Sequence, residues 1–445
     1  MPVFDLAIIG AGPGGLDAGL RARELGLKVA LLEKSEPGGT CLNTGCIPTK
    51  ALLASTKLLT KLKAAKSFGL SAVSVSADRA GLVERKTQIL ETLRKGMTES
   101  LKRSGVEWIQ GEASFVSKDR LRVGSREIAA KTILLATGSE PVSLPGVTLD
   151  GEKIVSSSHL LELKSIPGAL VVIGGGVVGV EFASIFQPLG TKVTIVEMLP
   201  QLLPGEDEEI ARRLESIFRR KGIEALTGER VQKVSTKGGV VETALESGQR
   251  LESDQVLMAV GRKPRLDSLG LDRAAVKTEK GAVVVNEYLE TSTAGIFAIG
   301  DVTNRTTGLA HAASAEGIRV VENLKGPRRK MEYGAVPRCI YSDPEVASVG
   351  RSGAGVEAKI LFASLGKPHV EGETEGFVKM TASKPDGRIL GVTGIGARMT
   401  EIIGEAALAV RLGVSVRDLA ETIHAHPTES EILQKAAEAL VRMLR

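Results

Sequence analysis

The sequence predicts an α/β fold because one local pattern occurs in it twice. A short apolar strand, a glycine-rich turn, a helical segment, a second apolar strand and an acidic residue follow one another in residues 3–33 and again in residues 169–197. From about Met331 the character changes to alternating strand-like segments and then helices. We therefore expect two Rossmann-like dinucleotide-binding domains followed by an α+β C-terminal domain.

The first unit starts with the apolar run Val3–Ile9, and its glycine turn leads into a helix that ends near Leu25. The strand Lys28–Leu32 follows, and an acid comes directly after it. Glycines at such a turn let a pyrophosphate approach the helix N-terminus, and an acid at this distance accepts hydrogen bonds from a ribose. The predicted binding residues of this unit are Gly10, Gly12, Gly14, Gly15 and Glu33.

The second unit repeats the first, with the strand Ala169–Ile173, a helix over Val180–Leu189 and the strand Lys192–Val196. The interval from the first glycine to the acid is the same in both units. Two independent dinucleotide sites indicate electron transfer between two nucleotide cofactors, and FAD with a nicotinamide nucleotide is the pair whose chemistry matches. The predicted binding residues of the second unit are Gly174, Gly176, Gly179 and Glu197.

Glu197 also bears on the choice of nicotinamide nucleotide. A carboxylate at this position favours a free ribose 2′-hydroxyl and repels a 2′-phosphate. The next residues, Met198 to Gln201, include no arginine that could receive such a phosphate. We therefore expect NAD in preference to NADP.

Weaker signals surround the two units. Residues 51–104 show helical periodicity, and residues 150–163, with three consecutive serines, are typical of a linker. Strands are predicted over residues 131–137, 256–260 and 295–299, and each runs into a turn that contains glycine. In the C-terminal region, residues 377–381 and 389–395 are predicted strands, and the last segment is predicted to be an amphipathic helix.

The stretch Gly38–Lys50 contains two of the three cysteines, Cys41 and Cys46. A single C-x4-C pair without a second pair is a poor ligand set for zinc. In an ideal helix, residues five apart have Cα atoms roughly 8–9 Å apart, which is too far for a relaxed disulfide. A bridge therefore needs a distorted helix start, for which Gly45 supplies backbone freedom and Pro48 removes a donor. Such an easily reduced bridge is typical of a catalytic disulfide, and the alternative is two buried unpaired thiols.

The composition argues against several classes of function. A formal net charge of +5 is small for 445 residues, and the basic residues are dispersed, so no nucleic-acid interface is indicated. No apolar run reaches membrane-spanning length. Three cysteines favour a reducing compartment, so we expect a cytoplasmic protein. The tightest basic cluster, Arg328-Arg329-Lys330, is predicted to be a solvated loop.

Five histidines are candidates for proton transfer. His426 is followed, after a Pro-Thr turn, by Glu431 at a distance that suits a carboxylate orienting an imidazole. His424 is the alternative, because a His-Ala-His sequence could place both rings on one strand face as metal ligands. The sequence offers no further histidine or cysteine cluster, so we expect no metal site and a structural role for His424.

These motifs together resemble those of the flavin-dependent disulfide oxidoreductases and, within that family, of the dihydrolipoamide dehydrogenases. The resemblance extends over nearly the whole chain. It is carried by Gly10–Gly15, Gly38–Lys50, Ala136–Ser139, Gly174–Glu181, Gly300-Asp301, Pro344–Gly350 and His424–Thr428 with Glu431.

The resemblance implies roles for individual residues. Cys41 would be the interchange thiol that faces the substrate, and Cys46 would be the thiol that contacts the flavin. Lys50 would lie near flavin N5 and pair with Glu181, while Asp301 would bind the ribityl chain. The remaining cofactor-binding positions are Ala310, whose backbone would approach the isoalloxazine, and Thr137, Gly138 and Gly261.

An assembly and a reaction are implied as well. His426, oriented by Glu431, would act as acid and base in the active site of the other subunit, which makes the protein an obligate homodimer. Residues 1–146 would bind FAD, 147–265 would bind NAD, 266–332 would complete the FAD site, and 333–445 would form the dimer interface. The implied reaction is oxidation of protein-bound dihydrolipoamide through a Cys41–Cys46 disulfide and FAD, with reduction of NAD+.

The implied partners are the lipoyl domains and transacylase core of a 2-oxo acid dehydrogenase complex or of a glycine cleavage complex. Two alternatives stay open. Another NAD(P)H-dependent flavoprotein disulfide reductase, acting on glutathione, mercuric ion or coenzyme A disulfide, would use the same scaffold, although Glu197 argues against NADPH. A non-enzymatic docking subunit is the other alternative, and the intact Cys41, Cys46 and His426 argue against it.

Overall fold

The computed structural model describes residues 3–71 and 74–445, and within them the chain forms twenty-four strands and twelve α-helices. The strands are β1 (Val3–Ile9), β2 (Val29–Glu33), β3 (Glu107–Gln110), β4 (Ala113–Ser117), β5 (Arg120–Val123), β6 (Arg126–Leu135), β7 (Ser139–Pro141), β8 (Ile154–Val155), β9 (Ala169–Ile173), β10 (Lys192–Glu197), β11 (Glu224–Thr227), β12 (Val231–Lys237), β13 (Val240–Leu245), β14 (Arg250–Ser253), β15 (Gln255–Met258), β16 (Arg262–Pro264), β17 (Thr278–Glu279), β18 (Ala282–Val283), β19 (Ile296–Ala298), β20 (Arg338–Ile340), β21 (Glu345–Gly350), β22 (Val356–Leu361), β23 (Phe377–Ala382) and β24 (Ile389–Gly396). The helices are α1 (Pro13–Glu24), α2 (Gly39–Thr44), α3 (Cys46–Lys63), α4 (Arg79–Ser104), α5 (Ser157–Leu161), α6 (Val177–Phe186), α7 (Glu208–Arg220), α8 (Ala310–Lys325), α9 (Gly366–Glu371), α10 (Met399–Leu412), α11 (Val416–Glu421) and α12 (Glu431–Met443).

The first sheet contains the first predicted unit. Its strands lie in the order β3-β2-β1-β6-β5-β4, with β19 paired in parallel to β6. The strands β1, β2, β3 and β6 are parallel, and α1 and α8 pack closely against each other. This contact requires small residues, because a Cβ added to Gly317 would lie 2.3 Å from the carbonyl oxygen of Gly14. Because β19 pairs with β6, the chain returns to the first sheet after it has completed the second.

The second sheet contains the repeated unit. It is parallel, with the strand order β11-β10-β9-β15-β8, and an antiparallel sheet of β12, β13 and β14 is inserted before β15. The prediction of a linker at residues 150–163 is wrong, because this segment contains β8 and α5. Ile154–Val155 pairs with β15, and Ser156 begins the helix as a cap whose backbone N–H contacts Nδ1 of His159 at 3.1 Å. Serine is a favoured helix cap, which explains why its run does not form a loop.

The C-terminal sheet is antiparallel, in the order β20-β21-β24-β23-β22, and α10 and α12 pack against it. The buried face of α12 consists of Ile432, Leu433, Ala436, Ala437 and Leu440. This arrangement confirms the predicted α+β character of the region. None of the helices in the described residues is both long and apolar enough to cross a membrane.

The basic cluster Arg328-Arg329-Lys330 lies in the loop between α8 and β20, and its side chains are more than half exposed. Each of the three forms an ion pair, and the partners are Glu290, Glu322 and Glu287 in that order. The prediction of a solvated loop is confirmed.

The tight turn before α1 makes Gly15 sensitive to substitution. A Cβ at this position would lie 2.0 Å from the carbonyl oxygen of Gly10. We expect Gly15→Ala to lower the free energy of unfolding by about 1–3 kcal/mol because the backbone must shift. Urea unfolding measures the change. In the matched control Gly96→Ala, the new Cβ inside α4 meets no atom within 4 Å, and we expect stability to rise by about 0.5–1 kcal/mol.

Candidate active site

The two cysteines lie on either side of a break in the helix. Cys41 is in α2 and Cys46 is the first residue of α3, with Gly45 between the two helices. A Cβ on Gly45 would lie 2.8 Å from the carbonyl oxygen of Thr40, so the break depends on glycine at this position. Pro48 is in the first turn of α3, where a backbone N–H has no partner within the helix. The predicted distortion is therefore present.

Cys41 and Cys46 are free thiols, and each changes the protonation of the other. A hydrogen bond from Cys41 lowers the pKa of Cys46 to about 7, and the positive charge of Lys50 assists while burial opposes the change. The same hydrogen bond, with burial, raises the pKa of Cys41. The pair consequently shares one proton near neutral pH, and Cys46 is the thiolate.

Lys50 and Glu181 form a two-pronged ion pair. The Lys50 ammonium donates to Oε1 of Glu181 at 2.9 Å and to Oε2 at 2.8 Å. The Glu181 side chain is only 5% exposed. Lys50 is in α3, which comes after the first unit, and Glu181 is in α6, the helix of the second unit. This contact joins the helix that begins at Cys46 to the second unit.

The acids that end β2 and β10 have matching environments. Glu33 accepts hydrogen bonds from the backbone N–H groups of Ala11 at 2.8 Å and Ser35 at 2.9 Å. Glu197 accepts from Gly175 at 2.7 Å and from the N–H of residue 199 at 2.8 Å. Each carboxylate is thereby fixed next to its glycine turn, and a carboxylate oxygen has a further lone pair with which to accept from a ribose.

Both glycine turns leave space where a phosphate would lie. A Cβ on Gly12 or on Gly176 would meet no atom within 4 Å, and each glycine caps its helix without a side-chain hydrogen bond. The N–H groups of both helix N-termini are therefore available to an anion. In contrast, Gly174 and Gly179 are packed tightly, since a Cβ would lie 2.4 Å and 2.0 Å from backbone oxygens. These turns fit the two dinucleotides.

Asp301 lies in a polar cluster that the sequence analysis did not identify in full. Ser139 donates from its hydroxyl to Oδ2 of Asp301 at 2.5 Å, and Arg262 donates from Nε to the same hydroxyl at 2.8 Å. The Thr137 hydroxyl donates to the carbonyl of Arg265 at 2.9 Å. Ser139 and Arg262 each follow a predicted binding glycine, Gly138 and Gly261, and that adjacency was the signal available for finding them.

A buried acid fixes the segment around Asp301. Ala310 is the first residue of α8, and Glu316 lies farther along the same helix with 1% exposure. The backbone N–H of Gly300 donates to Glu316 at 2.6 Å, and the Tyr333 hydroxyl donates to it at 2.8 Å. Burial raises the pKa of Glu316. No spacing pattern in the sequence indicated this residue.

His426 and Glu431 are in contact at the start of α12. Nδ1 of His426 is 3.0 Å from Oε1 of Glu431, whose second oxygen accepts from the N–H of Thr428 at 2.8 Å. The hydrogen bond from His426, with that of Thr428, lowers the pKa of Glu431. The His426 side chain is 75% exposed on the single chain, so its Nε2 side faces outwards.

His424 has a different environment, with its side chain only 5% exposed. Its Nε2 is 2.9 Å from Oε1 of Glu405 in α10, and its Nδ1 is 3.0 Å from the carbonyl of Thr422. Its ring therefore joins the loop to α10. Among the described residues, no group of three or more His, Cys, Asp or Glu side chains is placed to hold a metal ion.

Two models of known protein families together match most of the chain. The family model described as pyridine nucleotide-disulphide oxidoreductase matches residues 4–317, and the model of its dimerisation domain matches residues 336–437. The chain belongs to this family. Its members use FAD and NAD(H), so the chain is an FAD-dependent oxidoreductase, and residues 336–437 make it a homodimer.

Individual relatives cover nearly the whole chain. A dihydrolipoyl dehydrogenase from Chlorobaculum parvum is 40% identical, over 99% of this chain and 97% of its own. A dihydrolipoyl dehydrogenase from Bacillus subtilis is 41% identical, over 97% of each. Among solved structures, LpdA from Mycobacterium tuberculosis is 28% identical with a TM-score of 0.91, covering 99% of this chain and all of that one.

The shared proton gives a prediction for thiol reactivity. Because the pKa of Cys46 is lowered to about 7, alkylation of the reduced Cys41–Cys46 pair by iodoacetamide should accelerate around pH 7. The pKa of Cys339 is raised to about 11 by burial, so this thiol is an internal control that reacts only at much higher pH. Peptide mass spectrometry distinguishes the sites. A pair that first reacts above pH 9 would contradict the assignment.

Proposed function

We propose that the protein oxidises dihydrolipoamide carried on a lipoyl domain and reduces NAD+ to NADH. The observation that carries this proposal is the Cys41–Cys46 pair, which holds a thiolate beside Lys50 where α3 contacts the second dinucleotide unit. The relatives named dihydrolipoyl dehydrogenase support the choice of substrate. Glu197, with no arginine beside it, supports NAD over NADP.

The first step is thiol–disulfide exchange on the oxidised pair. His426 removes the proton from one substrate thiol, and the resulting thiolate attacks Sγ of Cys41. The bond between Cys41 and Cys46 breaks, and Cys46 leaves as a thiolate. The positive charge of Lys50, which favours the Cys46 thiolate, makes Cys46 the better leaving group and directs the attack to Cys41.

The second substrate thiol then attacks the substrate sulfur in the mixed disulfide and gives its proton to the leaving Cys41 sulfur. Oxidised lipoamide leaves, Cys41 shares this proton with Cys46, and the pair has gained two electrons. The first proton passes from His426 to solvent. Bound FAD would supply the two-electron relay from this pair to NAD+. We propose that Gly10, Gly12, Gly14, Gly15, Glu33, Thr137, Gly138, Asp301 and Ala310 hold FAD, and that Gly174, Gly176, Gly179, Glu197 and Gly261 hold NAD.

The proton acceptor is proposed to come from the partner subunit. His426 is largely exposed on the single chain, and it lies within the matched dimerisation domain. Glu431 fixes the ring through Nδ1, which leaves Nε2 to exchange protons with the substrate. Each active site would then combine the cysteines of one chain with the histidine of the other.

We propose the division into residues 1–146 for FAD, 147–265 for NAD, 266–332 completing the FAD site and 333–445 for dimerisation. The pairing of β19 with β6 supports the return of the third part to the first. We propose a cytoplasmic location because a cycling disulfide suits a reducing compartment. The proposed partners are a 2-oxo acid dehydrogenase complex or a glycine cleavage complex.

The proposed reaction is tested by following NADH formation from dihydrolipoamide with the purified holoprotein. We expect turnover with NAD+ to exceed turnover with NADP+ by at least tenfold. Reduction of glutathione disulfide or coenzyme A disulfide by NADH should be far slower. Rapid reduction of one of these disulfides without lipoamide turnover would be consistent with the proposed redox centre. It would contradict the assignment of dihydrolipoamide as the substrate.

The proton-transfer role gives a sharper prediction. We expect His426→Gln to lower kcat for dihydrolipoamide by about 10²–10⁴-fold, because the substrate thiol loses its base. The control is His369→Gln, which changes an exposed histidine whose Nε2 contacts the carbonyl of Ala363, and its kcat should match that of the unchanged protein. Steady-state kinetics from pH 6 to 9 measure kcat for both variants. Equal kcat values for both variants would exclude His426 as the base.

A further inference from the structure

Tyr341 lies against the ion pair at the redox centre, although it belongs to the C-terminal sheet region. It follows β20 directly, and the Lys50 ammonium lies 4.4 Å from the centroid of its ring. Its backbone N–H donates to Oε1 of Glu181 at 2.9 Å. One residue of the C-terminal region therefore contacts both members of the Lys50–Glu181 pair.

The Tyr341 ring occupies a defined position beside the Lys50 ammonium. An ammonium group has three N–H donors, and Lys50 directs two of its contacts to the oxygens of Glu181. The Tyr341 ring covers another side of the ammonium at a cation–π distance, in a setting where the Glu181 side chain is 5% exposed. An ammonium held on two sides in this way cannot turn freely towards solvent.

We propose that the face of the Tyr341 ring holds the Lys50 ammonium beside Cys46 and is a positioning element of the redox centre. The phenol hydroxyl is not needed for this role. Burial raises the pKa of Tyr341 to about 12, so the ring stays neutral over the working range. The inference rests on the proposed role of the Cys41–Cys46 pair.

Several other charges and thiols act on the same groups and are the same in every variant compared. The pKa of Cys46 is influenced directly by Cys41, Lys50 and Glu181. The charge of Cys46 in turn acts on Arg262. Around Tyr341 the titratable groups are Lys50, Cys339, Glu345, Glu181 and Glu401.

The test changes the ring and keeps the backbone. Tyr341→Leu removes the aromatic face but keeps the N–H that donates to Glu181, whereas Tyr341→Phe keeps the face and removes the hydroxyl. Reduced holoprotein is alkylated with iodoacetamide across pH 5–10, and the pair and Cys339 are resolved by peptide mass. We expect Tyr341→Leu to raise the apparent pKa of the pair by about half a unit or more and Tyr341→Phe to leave it unchanged.

A remote tyrosine provides the matched control. Arg328 lies 4.3 Å from the ring centroid of Tyr288, so Tyr288→Leu also removes a cation–π contact, but one in the loop that precedes β19. It should not move the pKa of the pair. Tyr341→Met serves as a second aliphatic variant if Tyr341→Leu does not yield folded, yellow protein.

The outcomes separate this inference from the proposed function. If the pair of the unchanged protein does not react below the normal thiol range, the proposed redox role fails first. If the pair reacts near pH 7 and neither aliphatic variant shifts it, the role of the Tyr341 ring is overturned. An equal shift in Tyr341→Phe and Tyr341→Leu also overturns it, because the hydroxyl would then be responsible.

Discussion

The ion pair between Lys50 and Glu181 is the interaction on which the arrangement of the redox centre depends. Its acid is almost fully buried, and it joins α3, which begins at Cys46, to α6 of the second unit. Removal of Lys50 would leave the buried charge of Glu181 without compensation, which is destabilising. The pair therefore fixes α3 against α6, and with α3 it fixes Cys46 four residues before the lysine. Tyr341 connects the C-terminal region to the same point.

The reactivity of the two thiols depends on the position of α3 and of the Lys50 ammonium. A broken helix brings Cys41 and Cys46 close enough to share a proton, and the nearby ammonium favours negative charge on Cys46. In the proposed reaction that charge gives the two sulfurs different tasks, since the better leaving group directs the substrate to the other cysteine. The glycine turns at both units are open where a pyrophosphate would bind and tight where helix and strand meet. The space for both dinucleotides therefore follows from one repeated local geometry.

Local patterns allowed prediction wherever the physical cause is local. The helix break at Gly45 depends on its contact with Thr40 in the same short segment, and the structure has it where it was predicted. The turn at Gly10 and the acid at Glu33 also lie at their predicted positions in the first unit. The segment at residues 150–163 was predicted wrongly because β8 is defined by pairing with β15, about a hundred residues later. Ser139, Tyr341 and Glu316 were missed for the same reason, since their contacts join distant parts of the chain. The resemblance supplied the pairing of Lys50 with Glu181, which no spacing rule gives.

We propose that each active site combines the cysteines of one subunit with the histidine of its partner. Subunit complementation tests this arrangement, by mixing Cys41→Ser and His426→Gln homodimers under conditions that exchange subunits. Each homodimer alone should be nearly inactive. Random exchange gives mixed dimers with one complete site, so dihydrolipoamide activity should rise to roughly a quarter of that of the unchanged protein. No recovery, despite proven exchange, would show that each chain forms its site alone.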